Sequence, residues 1–270
     1  MIRLIKTLAL QFCRSLRCRS LLSKEEFLWK EIVLLLKVYL NLLVPIVNLI
    51  LDLKFTIGYI LFIMKNKNLL KTAFIALFAA IVCIGCFLRI PLGPIPIVLQ
   101  NGLCILTGAL LGSYLGGAPT ALFLAAGLIG LPVYSGGTSG VAVWAGPTGG
   151  FLPGYLIGAI VTGFIAGKPS VMEKKITLKN ALRISLAIFA GMVVLYVPGI
   201  FHFARWAQAA GKVPVEKSAF SYTMAACVIP YIPGDLLKIA VSIPIALKIR
   251  PILAQYLFSE KNQAQKEEKV

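Results

Sequence analysis

The sequence predicts an all-α membrane protein with six transmembrane helices. Of its 270 residues, 59% are hydrophobic and only 14% are charged. Its apolar runs are longer than the helices of soluble proteins need, and about 20 apolar residues suffice to cross a hydrocarbon core. Six such segments follow one another with short breaks. They cover residues 69–89, 97–112, 118–131, 149–167, 180–200 and 232–250.

The basic residues predict how these segments are oriented. The net charge is +17, but Lys and Arg gather at segment ends and form no stripe interleaved with aromatic residues. This pattern argues against nucleic acid as a partner and favours the lipid bilayer with its anionic head groups. If successive segments cross the membrane in opposite directions, the three main clusters lie on the same side of it. Positive residues favour the cytoplasmic side, so both termini are expected in the cytoplasm. The chain is then a multi-pass protein of the inner (plasma) membrane. The clusters are Lys65, Lys67 and Lys71; Lys168, Lys174, Lys175 and Lys179; and Lys248 and Arg250.

Glycine and proline divide the chain near residue 64. Residues 1–63 hold one of the 24 glycines and one of the 15 prolines. Met64 is followed by a short basic stretch and then by a clean apolar segment, which is typical of a true amino terminus. We therefore expect residues 1–63 to be an extension, either the result of a start codon assigned upstream of the true one at Met64 or a dispensable interfacial or membrane segment. Residues 64–258 then form the membrane domain, and 259–270 form a polar cytoplasmic tail.

Asp235 is the only acidic residue inside a predicted span, and Lys238 follows it by three positions. On a helix, two such residues share one face. A charged side chain at bilayer depth costs about 2.5–3.5 kcal/mol, so ionisable residues there usually face the bundle interior and mark a ligand or ion pathway. The pair is predicted to form part of a binding site, and the alternative is a pair that neutralises itself and only braces the helix.

Uncharged polar residues from other breaks are expected on the same outer side. Gln100 and Asn101 open the second segment, and the glycine-rich loop 132–150 carries Tyr134 and Thr148. Irregular backbone at membrane depth is tolerated where it lines a cavity, and an apolar cavity with a few polar groups is the usual form of a small-molecule site. The expected ligand is small, largely apolar and capable of hydrogen bonding.

Small residues recur at helical spacing, which allows close helix packing in lipid. For the glycines at 108, 112 and 116 and at 150, 154 and 158, packing within the protein is the simpler interpretation. Ala76 and Ala80 are interpreted differently, because the first segment lies at the edge of the bundle. The helix face that carries these two alanines can therefore contact a partner protein.

The pattern of reactive residues argues against an enzyme. Cys83 and Cys86 have the spacing of metal ligands, but no second pair accompanies them and His202 is the chain's single histidine. No paired carboxylates or nucleophile elbow appear, which disfavours an intramembrane enzyme. Residues 163–169 mimic a phosphate-binding loop with one spacer too few and proline where serine or threonine is required. We expect no cofactor and no metal site.

Four stretches resemble, in order, the signatures of the BioY family, the biotin-binding S component of energy-coupling factor (ECF) transporters. They are Pro94–Gln100, Gly130–Tyr134, Gly146–Gly150 and Pro230–Lys238, and the resemblance covers roughly residues 64–250. It implies a compact six-helix protein that captures biotin from the outer face. It also implies partners, a transmembrane T component and two ABC-type ATPases, with Ala76 and Ala80 matching the docking motif for the T component. Some family members are thought to work without dedicated ATPases, and an S component for another vitamin is the alternative.

The resemblance gives each candidate residue a role toward biotin. Asp235 can accept the ureido N–H groups, and Lys238 can donate to the ureido carbonyl or pair with the carboxylate. The remaining residues are expected to make neutral hydrogen bonds to biotin or to pack against its two rings. These are Gln100, Asn101 and Thr148 for hydrogen bonds, Tyr134 and Trp144 for the rings, and Gly149 beside Thr148.

Overall fold

The computed structural model describes residues 67–90, 97–174 and 176–258, which belong to one compact unit spanning Asn66–Val270. The predictions for residues 1–63 and 259–270 fall outside the described residues. Within them, the regular secondary structure is helical apart from one short strand pair and an isolated bridge between Tyr134 and Thr138. The α-helices are α1 (Lys67–Ile84), α2 (Gln100–Leu111), α3 (Ala118–Leu128), α4 (Val141–Ala145), α5 (Phe151–Ala166), α6 (Leu178–Ala209), α7 (Ala219–Cys227) and α8 (Ile232–Leu257).

Each of the six predicted apolar segments overlaps one α-helix, but the helices differ in length from the predicted segments. Two stretches of the described residues are long and apolar enough to cross a membrane: Asn68–Phe87 and Leu178–Ala209, with hydropathies of 2.3 and 2.2. Helices α2 and α5 have 12 and 16 residues. Both end at a glycine in a left-handed conformation, Gly112 with φ 64° and Gly167 with φ 68°, which a side chain would strain. The short helices α4 and α7 were not predicted.

Residues 90–96 contain three prolines, and this composition predicts a non-helical break. The flanking residues confirm a break, since Arg89–Ile90 (β1) pairs antiparallel with Ile97–Val98 (β2) in a two-residue ladder. Residues 91–96 themselves lie outside the described ranges. The ladder brings the end of α1 back to the beginning of α2, which holds the first turn of α2 beside α1.

Glycines allow the central helices to pack closely, as the sequence predicted. A Cβ added to Gly154 of α5 would lie 2.3 Å from the Leu195 carbonyl oxygen of α6. A Cβ on Gly108 of α2 would lie 2.3 Å from the Ala159 carbonyl oxygen of α5. Real Cβ atoms do not come this close to a carbonyl, so only glycine permits these helix contacts.

Arg250 occupies a different place from the surface position that its charge cluster suggested. Its guanidinium is fully buried and donates 2.8 and 3.1 Å hydrogen bonds to both carboxylate oxygens of Glu173. It also donates to the backbone carbonyls of Ala109, Ala166 and Gly167. The carbonyls at the ends of α2 and α5 lack partners within their helices, and Arg250 satisfies them. This residue therefore fastens α8 to two neighbouring helices.

Candidate functional site

A cavity lies at one end of the described bundle, where the first turns of α2 and α8 meet α5, α6 and the segment between α3 and α5. Its volume is about 50 Å³. Apolar side chains, including Val98, Val143, Leu152 and Leu195, form much of its wall. Six of the eight residues predicted to bind a ligand line it. These are Gln100, Asn101, Tyr134, Thr148, Asp235 and Lys238.

Asp235 and Lys238 come from the first two turns of α8. Pro233 sits in the first turn, where proline favours helix initiation because its nitrogen needs no hydrogen bond there. Asp235 follows in that turn, at the end where the helix dipole stabilises a negative charge. Only 5% of Asp235 and 4% of Lys238 are exposed. The fold thus buries an ion pair at the cavity wall.

Asn101 completes this ion pair from helix α2. Lys238 Nζ lies 2.7 Å from Asp235 Oδ1 and 2.8 Å from Asn101 Oδ1. The amide nitrogen of Asn101 in turn donates to Asp235 Oδ1 at 3.1 Å. The hydroxyl of Tyr196 on α6 donates to the other oxygen, Oδ2. Each charge therefore has partners, which is the condition under which a buried ion pair is tolerated.

Gln100 has its amide nitrogen committed to the protein backbone. Nε2 donates to the Val133 carbonyl at 2.7 Å and faces the Val82 carbonyl of α1 at 3.4 Å. Its Oε1 is the remaining hydrogen-bonding atom of the side chain, and it is an acceptor only. In this structure Gln100 ties the segment before Tyr134 to α1 as well as lining the cavity.

Tyr134 and Trp144 lie next to each other, but only Tyr134 lines the cavity. The Tyr134 hydroxyl donates to the Leu124 carbonyl at 2.7 Å and accepts from Trp144 Nε1 at 3.0 Å. Its ring packs edge-on against Phe123. Burial raises the pKa of the Tyr134 phenol, and the Trp144 N–H offsets part of that rise. The phenol therefore stays protonated and keeps its bond to α3.

Thr148 lines the cavity, whereas Gly149 does not. A Cβ added to Gly149 would lie 1.8 Å from the Trp144 carbonyl oxygen, so this glycine lets α4 pack against the beginning of α5. The Gly146 carbonyl before them lies 2.9 Å from His202 Nε2 of α6. His202 thus contacts the backbone that carries Thr148.

Several residues of the cavity wall were not predicted from the sequence. They include Ser135, Tyr155, Tyr196 and Tyr231. Tyr196 had a usable signal, because a hydroxyl inside the apolar segment 180–200 needs a partner. No comparable signal marked Ser135, since loops commonly contain serine.

Ala76 and Ala80 are both exposed on α1, one turn apart, together with Thr72 on the same face. The buried side of the helix is formed by larger residues, including Phe74, Phe78 and Val82. The small-residue face of α1 thus remains uncovered by the described residues.

Comparisons with known proteins point to one family. The model of the BioY family matches residues 55–255. The biotin transporter BioY of Rhodobacter capsulatus is 39% identical over 171 residues, which cover 62% of this chain and 86% of that protein. The one from Rhizobium etli is 34% identical over 195 residues, covering 72% of this chain and 96% of that protein.

A solved structure resembles this chain as well. It is the crystal structure of the S component for biotin from an ECF-type ABC transporter. The superposition has a TM-score of 0.55 at 28% identity, and it covers 69% of this chain and 94% of that one. The similarity therefore extends over nearly the whole of the solved protein.

Proposed function

This chain belongs to the BioY family, and we propose that it is the substrate-binding S component of a biotin uptake system rather than an enzyme. The observation that carries the proposal is the family match together with the buried Asp235–Lys238–Asn101 cluster at the cavity wall. Biotin offers two ureido N–H donors, one ureido carbonyl and a carboxylate. These groups complement a carboxylate, an ammonium and an amide held in one place.

The cluster can bind a neutral cyclic urea without burying a new charge. Asp235 and Lys238 already neutralise each other at 2.7 Å, so a ureido ring adds only neutral dipoles to the site. Its N–H groups can replace or join the donors around Asp235, and its carbonyl can accept from Lys238 or Asn101. Gln100 Oε1 and the Thr148 hydroxyl are further partners that we assign to biotin.

Biotin requires a larger cavity than the one in this structure. Pockets for small organic ligands usually measure about 300–1,000 Å³, whereas this one measures about 50 Å³. In the segment between α3 and α5, the turn around Tyr134 is held by hydrogen bonds to Gln100 and Leu124, but the part that leads to Thr148 has only the five-residue helix α4 to stiffen it. We propose that this second part, from α4 to Thr148, moves outward to admit biotin, with Tyr134 and Trp144 covering the bound rings.

We also propose that six helices cross the membrane and that both termini face the cytoplasm. Lys168, Lys179 and Lys248 are exposed at the ends of α5, α6 and α8 that lie away from the cavity. Since positive residues favour the cytoplasmic side, the cavity then opens outward in the inner (plasma) membrane. For residues 1–63 we propose a dispensable extension, although the family match begins slightly upstream of Met64, at residue 55.

A T component and ABC-type ATPases are the proposed partners for delivery of biotin to the cytoplasm. The exposed Ala76 and Ala80 support α1 as the docking helix, because small residues one turn apart let a second helix approach closely. Docking on this face would leave the cavity, which lies on other helices, free to bind biotin first.

Binding of radiolabelled biotin to the detergent-purified full chain tests the proposal. We expect saturable binding that unlabelled biotin and, more weakly, desthiobiotin displace, because desthiobiotin keeps the ureido ring. Lipoate lacks that ring and should compete poorly. Absence of saturable binding, or displacement by lipoate as effective as by biotin, would contradict the assignment to biotin.

A further inference from the structure

Ser135 carries a buried hydroxyl that makes no hydrogen bond. Among the described residues, two buried side-chain oxygens lack a partner, Ser135 Oγ and Thr120 Oγ1. Thr120 belongs to α3, and its hydroxyl lies beside the thiol of Cys104. It does not line the cavity. Ser135 does line it. A buried hydroxyl without a partner costs free energy, so its presence at a cavity wall calls for an explanation.

The local backbone explains why Ser135 finds no partner within its own turn. Serine in a turn usually bonds to a nearby backbone N–H, commonly two residues further on. Here the Gly137 N–H already donates to the Tyr134 carbonyl at 2.8 Å, and the Gly136 N–H donates to the Cys86 carbonyl at 3.0 Å. The donor two residues further on is therefore occupied, and so is that of the next residue.

The same contacts hold the Ser135 backbone in place. Gln100 fixes the preceding segment through the Val133 carbonyl, and the Gly136 bond fixes the following residue to Cys86 in the turn after α1. The Tyr134 N–H adds a 2.9 Å bond to the Thr138 carbonyl across the turn. A hydroxyl on so constrained a turn loses little entropy when a ligand binds to it.

We propose that the Ser135 hydroxyl hydrogen bonds to the bound ligand and that it is a further binding residue of this site. The inference rests on the proposed function, since the ligand is taken to be biotin. The hydroxyl both donates and accepts, so it suits either the ureido ring or the carboxylate. Removing the Ser135 hydroxyl would delete a hydrogen bond from the complex with ligand. In the free protein it would delete only a group that has no partner.

Substitution of Ser135 by alanine separates this role from a structural one, because the two roles predict different measurements. For Ser135→Ala we expect the Kd for biotin to rise about threefold to tenfold, the usual range for one hydrogen bond. The melting temperature of the ligand-free protein should stay the same or increase. The matched control is Thr120→Val, which removes the other unpartnered hydroxyl and should leave the Kd unchanged.

Two further comparisons make the result decisive. If the wild-type chain binds biotin and Asp235→Asn abolishes binding, a Ser135→Ala Kd within twofold of wild type overturns this inference alone. If the wild-type chain does not bind biotin, the proposed function fails and this inference fails with it.

Repeating the titration with biotin amide locates the hydrogen bond that Ser135 makes to biotin. A loss confined to biotin assigns Ser135 to the carboxylate, and an equal loss with both ligands assigns it to the ureido ring.

Discussion

Lys238 and Asp235 are joined twice, directly through a 2.7 Å ion pair and indirectly through the Asn101 side chain. Removing one partner of a buried ion pair leaves an uncompensated charge and costs about 3–5 kcal/mol. We expect Asp235→Asn and Lys238→Met each to lower the melting temperature and to weaken biotin binding more than 100-fold. The measurements are thermal unfolding in detergent and equilibrium binding of labelled biotin.

The double variant Asp235→Asn/Lys238→Met separates folding from binding. It buries no charge, so its melting temperature should return toward wild type while biotin binding stays as weak as in the single variants. Lys248→Ala is the control, because this lysine is exposed on the same helix and away from the cavity. Wild-type affinity in both single variants would contradict the assignment of the pair to the ligand.

Gly149 is expected to act through backbone packing rather than through contact with biotin. A Cβ there meets the Trp144 carbonyl oxygen at 1.8 Å, so Gly149→Ala must displace α4 or the beginning of α5. We expect at least a tenfold loss of biotin affinity together with a lower melting temperature. Gly146→Ala is the matched control, since its Cβ would lie 3.4 Å from its nearest neighbour, the Val143 carbonyl oxygen. Equal behaviour of the two variants would refute this role.

The sequence identified the residues that are costly to bury but not all of their partners within the protein. Asp235 and Lys238 stood out because charge is rare in apolar segments, and the cavity wall does contain them. Gln100 was expected to use its amide on a ligand, yet its nitrogen serves the Val133 and Val82 carbonyls. Side-chain type shows that a residue needs a partner, but only the fold decides which partner it meets.

The ends of the helices and the burial of Arg250 were predicted less accurately from the sequence. Hydropathy overestimated the segments 97–112 and 149–167 at both ends, because the strand β2 before α2, the glycines before α5 and the left-handed glycines that end both helices are all compatible with an apolar run. Arg250 looked like a surface charge beside Lys248, whereas it lies buried against Glu173, 77 positions earlier. Such a distant pairing leaves no periodic signal in the sequence.

The buried pair of Arg250 and Glu173 is predicted to stabilise the fold without taking part in binding. Glu173→Gln would leave Arg250 inside the protein without a compensating charge, at a cost of about 3–5 kcal/mol. We expect a clearly lower melting temperature and, in the protein that remains folded, an unchanged Kd for biotin. Arg183→Ala is the control, because Arg183 also contacts Glu173 but its side chain is 42% exposed, and such pairs contribute about 1 kcal/mol or less. A Glu173→Gln protein as stable as Arg183→Ala would contradict the prediction.

The exposed face of α1 is predicted to be needed for biotin transport but not for biotin binding. Ala76→Leu and Ala80→Leu enlarge side chains that point away from the described core, so the purified variants should bind biotin with wild-type affinity. A partner helix that packs closely on these two positions could no longer approach, and biotin uptake by cells that supply the T component and ATPases should fall at least fivefold. Leu186→Trp on α6 is the control, because it enlarges an exposed apolar side chain on a helix that we do not assign to docking. Uptake is measured with labelled biotin at equal protein levels in the membrane. Normal uptake by both alanine variants would show that the partner does not dock on this face.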